Sequence, residues 1–203
     1  MGLVGVAAAI GLVVGAGGML LTDKARIDAR IHDYILDHPE ILPEAMKRLE
    51  TRQTAQTISR VRTAVETPFA GAWAGAPRGD VTVVMFTDYS CGYCRASLAD
   101  IDRLLAEDEG VKLVWREIPI LGPRSEAAAR IALAAAQKGN YLPVHRQLFA
   151  SRNTMTPPPE TAEITAEIDR NLALARALGI TGTPSFVIGG QLLQGAIDRK
   201  SVV

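Results

Sequence analysis

The sequence predicts an α/β protein with a helical segment ahead of its sheet. Three observations carry that prediction. The only two cysteines in 203 residues stand three apart, as Cys91-Gly-Tyr-Cys94. A short apolar, β-branched run, Val81-Thr-Val-Val-Met-Phe86, precedes them and reads as a buried strand. After them Ala96, Leu98, Ala99, Ile101, Leu104 and Leu105 recur at helical spacing through Glu107, so the cysteine pair opens a helix.

At the N-terminus, residues 2–21 contain no charge and no proline. They are long enough for a membrane span or a signal-peptide core, so 1–22 is expected to be a signal peptide or membrane anchor. The basic residues Lys24, Arg26 and Arg30 argue against export of the C-terminal part. A CxxC chain with no other cysteine suits an oxidising compartment, and a periplasmic or other extracytoplasmic location is expected. Residues 23–66 read as helical. Ile27, Ile31, Tyr34 and Ile35 form one apolar face that ends near His38-Pro39, and a second helix is expected from Pro43 to Glu66. Its apolar stripe is thin, so residues 27–66 either assemble copies of the chain, pack on the main domain, or stay solvated.

Residues 67–79 carry two prolines and three glycines and read as a linker, placing the catalytic domain at 80–203. Within it Val111–Ile118 is expected as a strand, and Ser125–Lys138, Leu142–Ala150 and Thr161–Leu178 as helices. Ser185-Phe-Val-Ile188 and Gln191-Leu-Leu-Gln194 flank Gly189-Gly190 and form a hairpin. The order βα, β, helices, ββ describes a thioredoxin-like fold with a helical insertion at about 124–178.

Composition excludes some classes. Lys plus Arg number 22 and Asp plus Glu 22, for no formal net charge. Nothing here invites nucleic acid or an anionic membrane surface.

The cysteines carry the chemistry. A disulfide closing so short a loop barely constrains the unfolded chain and makes a poor staple. Two thiols placed to form an easily exchanged local bond are better explained as a redox couple. At a helix N-terminus the amide donors and macrodipole favour an anion and lower a thiol pKa. Cys91 is then the attacking sulfur and Cys94 the buried resolving one, with no cofactor required. The competing reading is half a zinc site; the remaining ligands would be His32, His38 or His145, none paired at ligand spacing, although metal shared between subunits stays open.

Phe86-Thr-Asp-Tyr-Ser-Cys-Gly-Tyr-Cys-Arg95, Trp115-Arg-Glu-Ile-Pro-Ile-Leu-Gly-Pro-Arg-Ser125 and Gly179-Ile-Thr-Gly-Thr-Pro-Ser-Phe186 resemble the DsbA-like thiol–disulfide oxidoreductases. Arg30-Ile-His-Asp-Tyr-Ile-Leu-Asp-His-Pro-Glu-Ile-Leu42 is similar to the N-terminal segment of their suppressor-of-copper-sensitivity branch, the ScsC-like proteins. The resemblance implies that Thr183-Pro184 faces the cysteines through a cis bond. Pro184 then offers the sulfurs no N–H, and the Thr183 backbone is free to pair with an extended substrate strand. It also implies disulfide-containing substrate proteins and a membrane redox partner that recharges the pair. The dipeptide Gly92-Tyr93, with Thr before Pro184, looks more like the isomerase members, so isomerase or reductase ranks above oxidase. The branch raises a rival, Cu(I) held by Cys91 and Cys94, since paired thiolates are soft ligands. Where the family often has a buried acid, six residues before the first cysteine, this chain has Met85, leaving water or Asp88 as the candidate proton relay for Cys94.

Overall fold

The structure, a computed structural model, describes residues 24, 26–150 and 156–196. The apolar stretch 2–21, the tail beyond 196 and part of the turn expected at 154–159 lie outside them. No helix among the described residues is long and apolar enough to cross a membrane.

Two compact units divide between Glu50 and Thr51, rather than at residue 66. In the first, residues 26–37 are helical (α1) and stop before Pro39, because the residue preceding a proline is pushed out of the helical region. Helix α2 (Ile41–Glu66) starts two residues earlier than expected. Pro43 therefore sits in its first turn, where an amide proton has no intrahelical acceptor anyway. Ile27, Ile31, Tyr34, Leu42, Met46 and Leu49 are all exposed on this unit.

The second unit contains the rest of α2 and one five-stranded sheet. Its strands are β1 (Trp73–Gly75), β2 (Val81–Thr87), β3 (Val111–Glu117), β4 (Ser185–Ile188) and β5 (Gln191–Gln194), in the order β1-β3-β2-β4-β5. Only β2 and β3 are parallel; the other neighbours are antiparallel. The crossover between β2 and β3 is α3 (Gly92–Glu107), and α4 (Pro123–Gln137), α5 (Tyr141–Ala150) and α6 (Ala162–Ala177) lie between β3 and β4. Thr161 caps α6 by accepting the Ile164 N–H at 3.3 Å. The hairpin closes at Gly189 (φ 54°) and Gly190 (φ 88°), and a two-residue turn with both φ values positive is the form that glycine permits.

The segment expected as a linker holds β1. Trp73 to Gly75 pair antiparallel with Val114 to Lys112, and Ala72 is buried at the edge of the core. A strand of three residues between prolines is too short to show a period of two.

Helices cover both faces of the sheet, so the central strands are apolar on both sides. Val83, Met85, Leu113 and Trp115 point toward α3, α4 and α5, together with Cys91 and Cys94. Val84, Phe86, Val114 and Val187 point the other way, toward Ile58 and Val65 of α2 and Leu174 of α6. Alternation along β3 then sends two adjacent charged residues to opposite faces. Arg116 goes to the α2 side, where it meets Glu167 at 2.8 Å and Asn171 at 3.2 Å. It also donates to the carbonyls of Ala64, Val65 and Thr67 at the C-terminus of α2. Those carbonyls lack intrahelical partners, and a buried guanidinium satisfies several at once. Glu117 goes to the cysteine side.

Candidate active site

Strand register places the site. Phe86 of β2 pairs with Ser185 of β4, so the chain leaving β2 toward Cys91 and the chain entering β4 through Thr183-Pro184 meet at one end of the sheet. The Thr183–Pro184 bond is cis. Cys91 is the N-cap of α3, and its sulfur accepts the Cys94 N–H at 3.2 Å. Its thiol donates to the Thr183 carbonyl at 3.2 Å. Both cysteines are free thiols; Cys94 is sealed at 0 % exposure and Cys91 retains 6 %. Burial pushes the Cys94 thiol up to about 12, with the Asp88 backbone N–H and the hydroxyls of Thr183 and Thr87 offsetting part of that rise.

The loop before Cys91 is held by Asp88. Its carboxylate accepts the N–H of Ser90 at 2.8 Å, of Ile120 at 2.9 Å and of Leu121 at 3.0 Å, while its carbonyl accepts the Cys91 N–H at 3.0 Å. Both carboxylate oxygens of that candidate relay are thus committed to backbone amides. Tyr93 (70 % exposed), Ile120 and Leu121 present apolar surface. Gly92 is sterically free: a Cβ built there meets nothing within 4 Å. Met85 is buried in the core among the cysteines' neighbours.

Beneath the site lies a buried polar cluster that sequence reasoning missed. Glu117 Oε1 accepts the Tyr89 hydroxyl at 3.0 Å and also the Tyr141 hydroxyl. Tyr89 has one proton, which goes to Glu117, so His145 Nδ1, 2.8 Å away, donates to the Tyr89 oxygen. Burial raises Glu117 to about 8, against the pull of the two hydroxyls, and lowers His145 to about 3. Both are neutral at pH 7 for that reason. His145, a metal-ligand candidate by residue type, is packed among Tyr89, Trp115, Tyr141 and Phe149 instead. Among the described residues no group of three or more His, Cys, Asp or Glu side chains is placed to hold a metal. The signal for the cluster was Arg116-Glu117 in a strand covered on both faces.

These two groups set an expected pH profile for stability. Glu117 titrates near 8 folded and at an ordinary 4.5 unfolded. The folded state therefore holds an extra proton between those values, and stability falls as pH rises through that window. His145 titrates near 3 folded and 6.5 unfolded, so its contribution falls as pH drops from 6.5 to 3. Between 4.5 and 6.5 these two slopes cancel, and the slope that remains comes from Glu167, which burial also raises. Urea unfolding of the reduced protein should flatten there and lose about 2 kcal/mol by pH 8 and again by pH 3. A Glu117→Gln variant that keeps the full alkaline limb would refute the assignment.

The geometry agrees with what the chain is similar to. A family model described as the copper resistance protein ScsC N-terminal domain matches residues 23–56. One described as a DSBA-like thioredoxin domain matches residues 82–164. A thioredoxin-like oxidoreductase from Silicibacter pomeroyi is 39 % identical, with a TM-score of 0.58, over 64 % of this chain and 86 % of that one. The chain belongs to the DsbA-like thiol–disulfide oxidoreductases. A linker-deleted Proteus mirabilis ScsC shares the fold at a TM-score of 0.70 and 24 % identity, over 88 % of this chain and 90 % of that one. Among curated relatives, a probable thiol:disulfide interchange protein DsbC of Bordetella avium is 29 % identical over 84 % of this chain and 55 % of its own length. The chain spans about a quarter of the first curated relatives it matches, Na(+)/H(+) antiporters; that of Salinispora tropica, NhaA 3, is 28 % identical over 63 % of this chain and 23 % of its own length.

Proposed function

We propose that this chain exchanges disulfides with exported proteins, Cys91 attacking and Cys94 resolving. The observation that carries the reading is the Cys91 sulfur at the start of α3, set between the Cys94 N–H and the Thr183 carbonyl. The Cys91 thiolate attacks a substrate disulfide and releases one substrate sulfur as thiolate. Cys94 then displaces the second substrate sulfur, closing Cys91–Cys94; run backwards, the pair oxidises substrate dithiols. Beside the cis Thr183–Pro184 bond an extended substrate segment would find backbone to pair with. A membrane redox partner recharges the pair, and no cofactor takes part.

Isomerase or reductase action is favoured over DsbA-type oxidation. Tyr93 supplies no imidazolium beside Cys91, and the exposed apolar side chains of residues 27–49 support self-association, which gives an isomerase more than one site on one scaffold. The match of residues 23–56 to a copper resistance domain supports a second reading, Cu(I) held by Cys91 and Cys94.

The test measures refolding of a scrambled disulfide substrate beside oxidation of a reduced one, for the full chain and for the chain from Thr51. The cut belongs at 51 because Ile58 and Val65 lie in the core of the second unit. Isomerisation by the full chain, lost with oxidation retained on truncation, is the expected result. Stoichiometric Cu(I) binding with neither activity would favour the copper reading.

A further inference from the structure

The proton of Cys94 must leave and return in every cycle, and the buried groups around it limit where it goes. When Cys94 attacks the mixed disulfide, its sulfur bonds to the Cys91 sulfur, the substrate departs as thiolate, and the Cys94 proton needs an acceptor. Cys94 is sealed from solvent. The two oxygens of Asp88 are held by three backbone amides. Tyr89 and Tyr141 are themselves weaker acids than usual because of burial, and a phenol that already donates to Glu117 accepts no acidic proton at neutral pH.

Glu117 is different. Its Oε1 takes both tyrosine hydroxyls, yet its Oε2 is buried without a partner. The Thr87 hydroxyl is likewise buried without a partner, and it faces the Cys94 sulfur closely enough to favour its thiolate. Thr87 and Glu117 are register partners across the parallel β2–β3 pair. Their side chains therefore rise from the same face of the sheet, on strands about 5 Å apart. Two orphaned polar atoms on paired residues, one of them at the thiol, are costly unless they are used.

We infer that Glu117 Oε2 is the proton acceptor and donor for Cys94, with the Thr87 hydroxyl, which hydrogen-bonds neither in the resting thiol form, turning to carry the proton between them as Cys94 ionises. In the closing direction Thr87 Oγ1 accepts from Cys94 and passes its own proton to ionised Glu117. In the opening direction protonated Glu117 returns it to the Cys94 thiolate that attack on Cys91 releases. The groups facing Glu117 are Tyr89 and Asp88 from the loop before α3, and Tyr141 with neutral His145 from α5. Among the described residues no cation faces it, so its proton affinity is set by burial and those dipoles.

This inference rests on the oxidoreductase reading. The test is stopped-flow fluorescence of the full chain mixed with excess oxidised glutathione, from pH 5.5 to 9.5, following the concentration-independent closing of Cys91–Cys94. In the unmodified protein the closing rate should rise with pH and level off near 8. Glu117→Gln, which still accepts both tyrosines at Oε1, should close about 100-fold more slowly at pH 8, the low end for general acid–base catalysis, with no levelling in the range. Thr87→Val should reproduce that profile and Thr87→Ser should restore the original one. If Glu117→Gln fails to fold, the Thr87 pair decides. Identical pH profiles for unmodified and substituted proteins overturn the relay and leave the oxidoreductase reading standing. Failure of the unmodified protein to close the disulfide overturns both.

Discussion

Cys94→Ala is expected to accumulate as a covalent mixed disulfide with substrate through Cys91, and Cys91→Ala to lose turnover altogether. The asymmetry comes from position. The Cys91 sulfur occupies the N-cap of α3 and touches Thr183 across the cleft, with residual solvent exposure, whereas Cys94 has none. Without Cys91 the remaining thiol is buried, pushed up to about 12 and almost wholly protonated at pH 7, so little nucleophile is available. Without Cys94 the first exchange still occurs, but the adduct waits for an external thiol. The effect on turnover should exceed about 1000-fold for Cys91→Ala, the scale at which loss of a nucleophile is felt. Non-reducing electrophoresis and intact mass of the Cys94→Ala protein incubated with a disulfide-bonded substrate check it. Full multiple turnover by either variant would sink the division of roles.

Much of this architecture was legible because its determinants are local. The β4–β5 hairpin sits where Gly189-Gly190 separates two apolar runs, and α3 begins at the cysteines because the helical period begins there. At 100° per residue Leu49 falls on the opposite side of α2 from Ile58 and Val65, and it is exposed where they are buried. One apolar stripe drawn along the whole of α2 therefore hides the division at residue 50. β1 escaped for a related reason: Trp73–Gly75 becomes a strand only because the edge of β3 is there to pair with. The buried polar cluster was hidden most completely. Tyr89, Glu117, Tyr141 and His145 come from three separate segments, and nothing in the spacing of any one of them shows that they converge. Arg116-Glu117 looks like the polar exit of a strand until helices cover both faces, and then each charge is committed to a different interior.

That commitment makes Arg116→Met the most destabilising change expected outside the cysteines. Burial lowers the Arg116 pKa and raises that of Glu167, despite their mutual attraction. Both directions say that taking these charges out of water costs more than their pairing returns, so the pair is no net gain over an apolar isostere. Its partners are the reason it cannot simply be cut. Removing the guanidinium leaves Glu167 buried with only Arg170 beside it, and it strips a shared donor from the carbonyls of Ala64, Val65 and Thr67. Arg116→Met alone should cost about 3–5 kcal/mol in urea unfolding, the range for leaving a buried charge unpaired. Adding Glu167→Leu should recover part of that loss but not all, because the α2 carbonyls remain unsatisfied. Amide exchange of residues 58–66 should accelerate in both variants, ahead of the sheet, since Arg116 is what ties the end of that helix to β3. A double variant no more stable than Arg116→Met would mean that Glu167 is not the source of the penalty. Unchanged exchange at the end of α2 would show that Ile58 and Val65 hold the helix by packing alone.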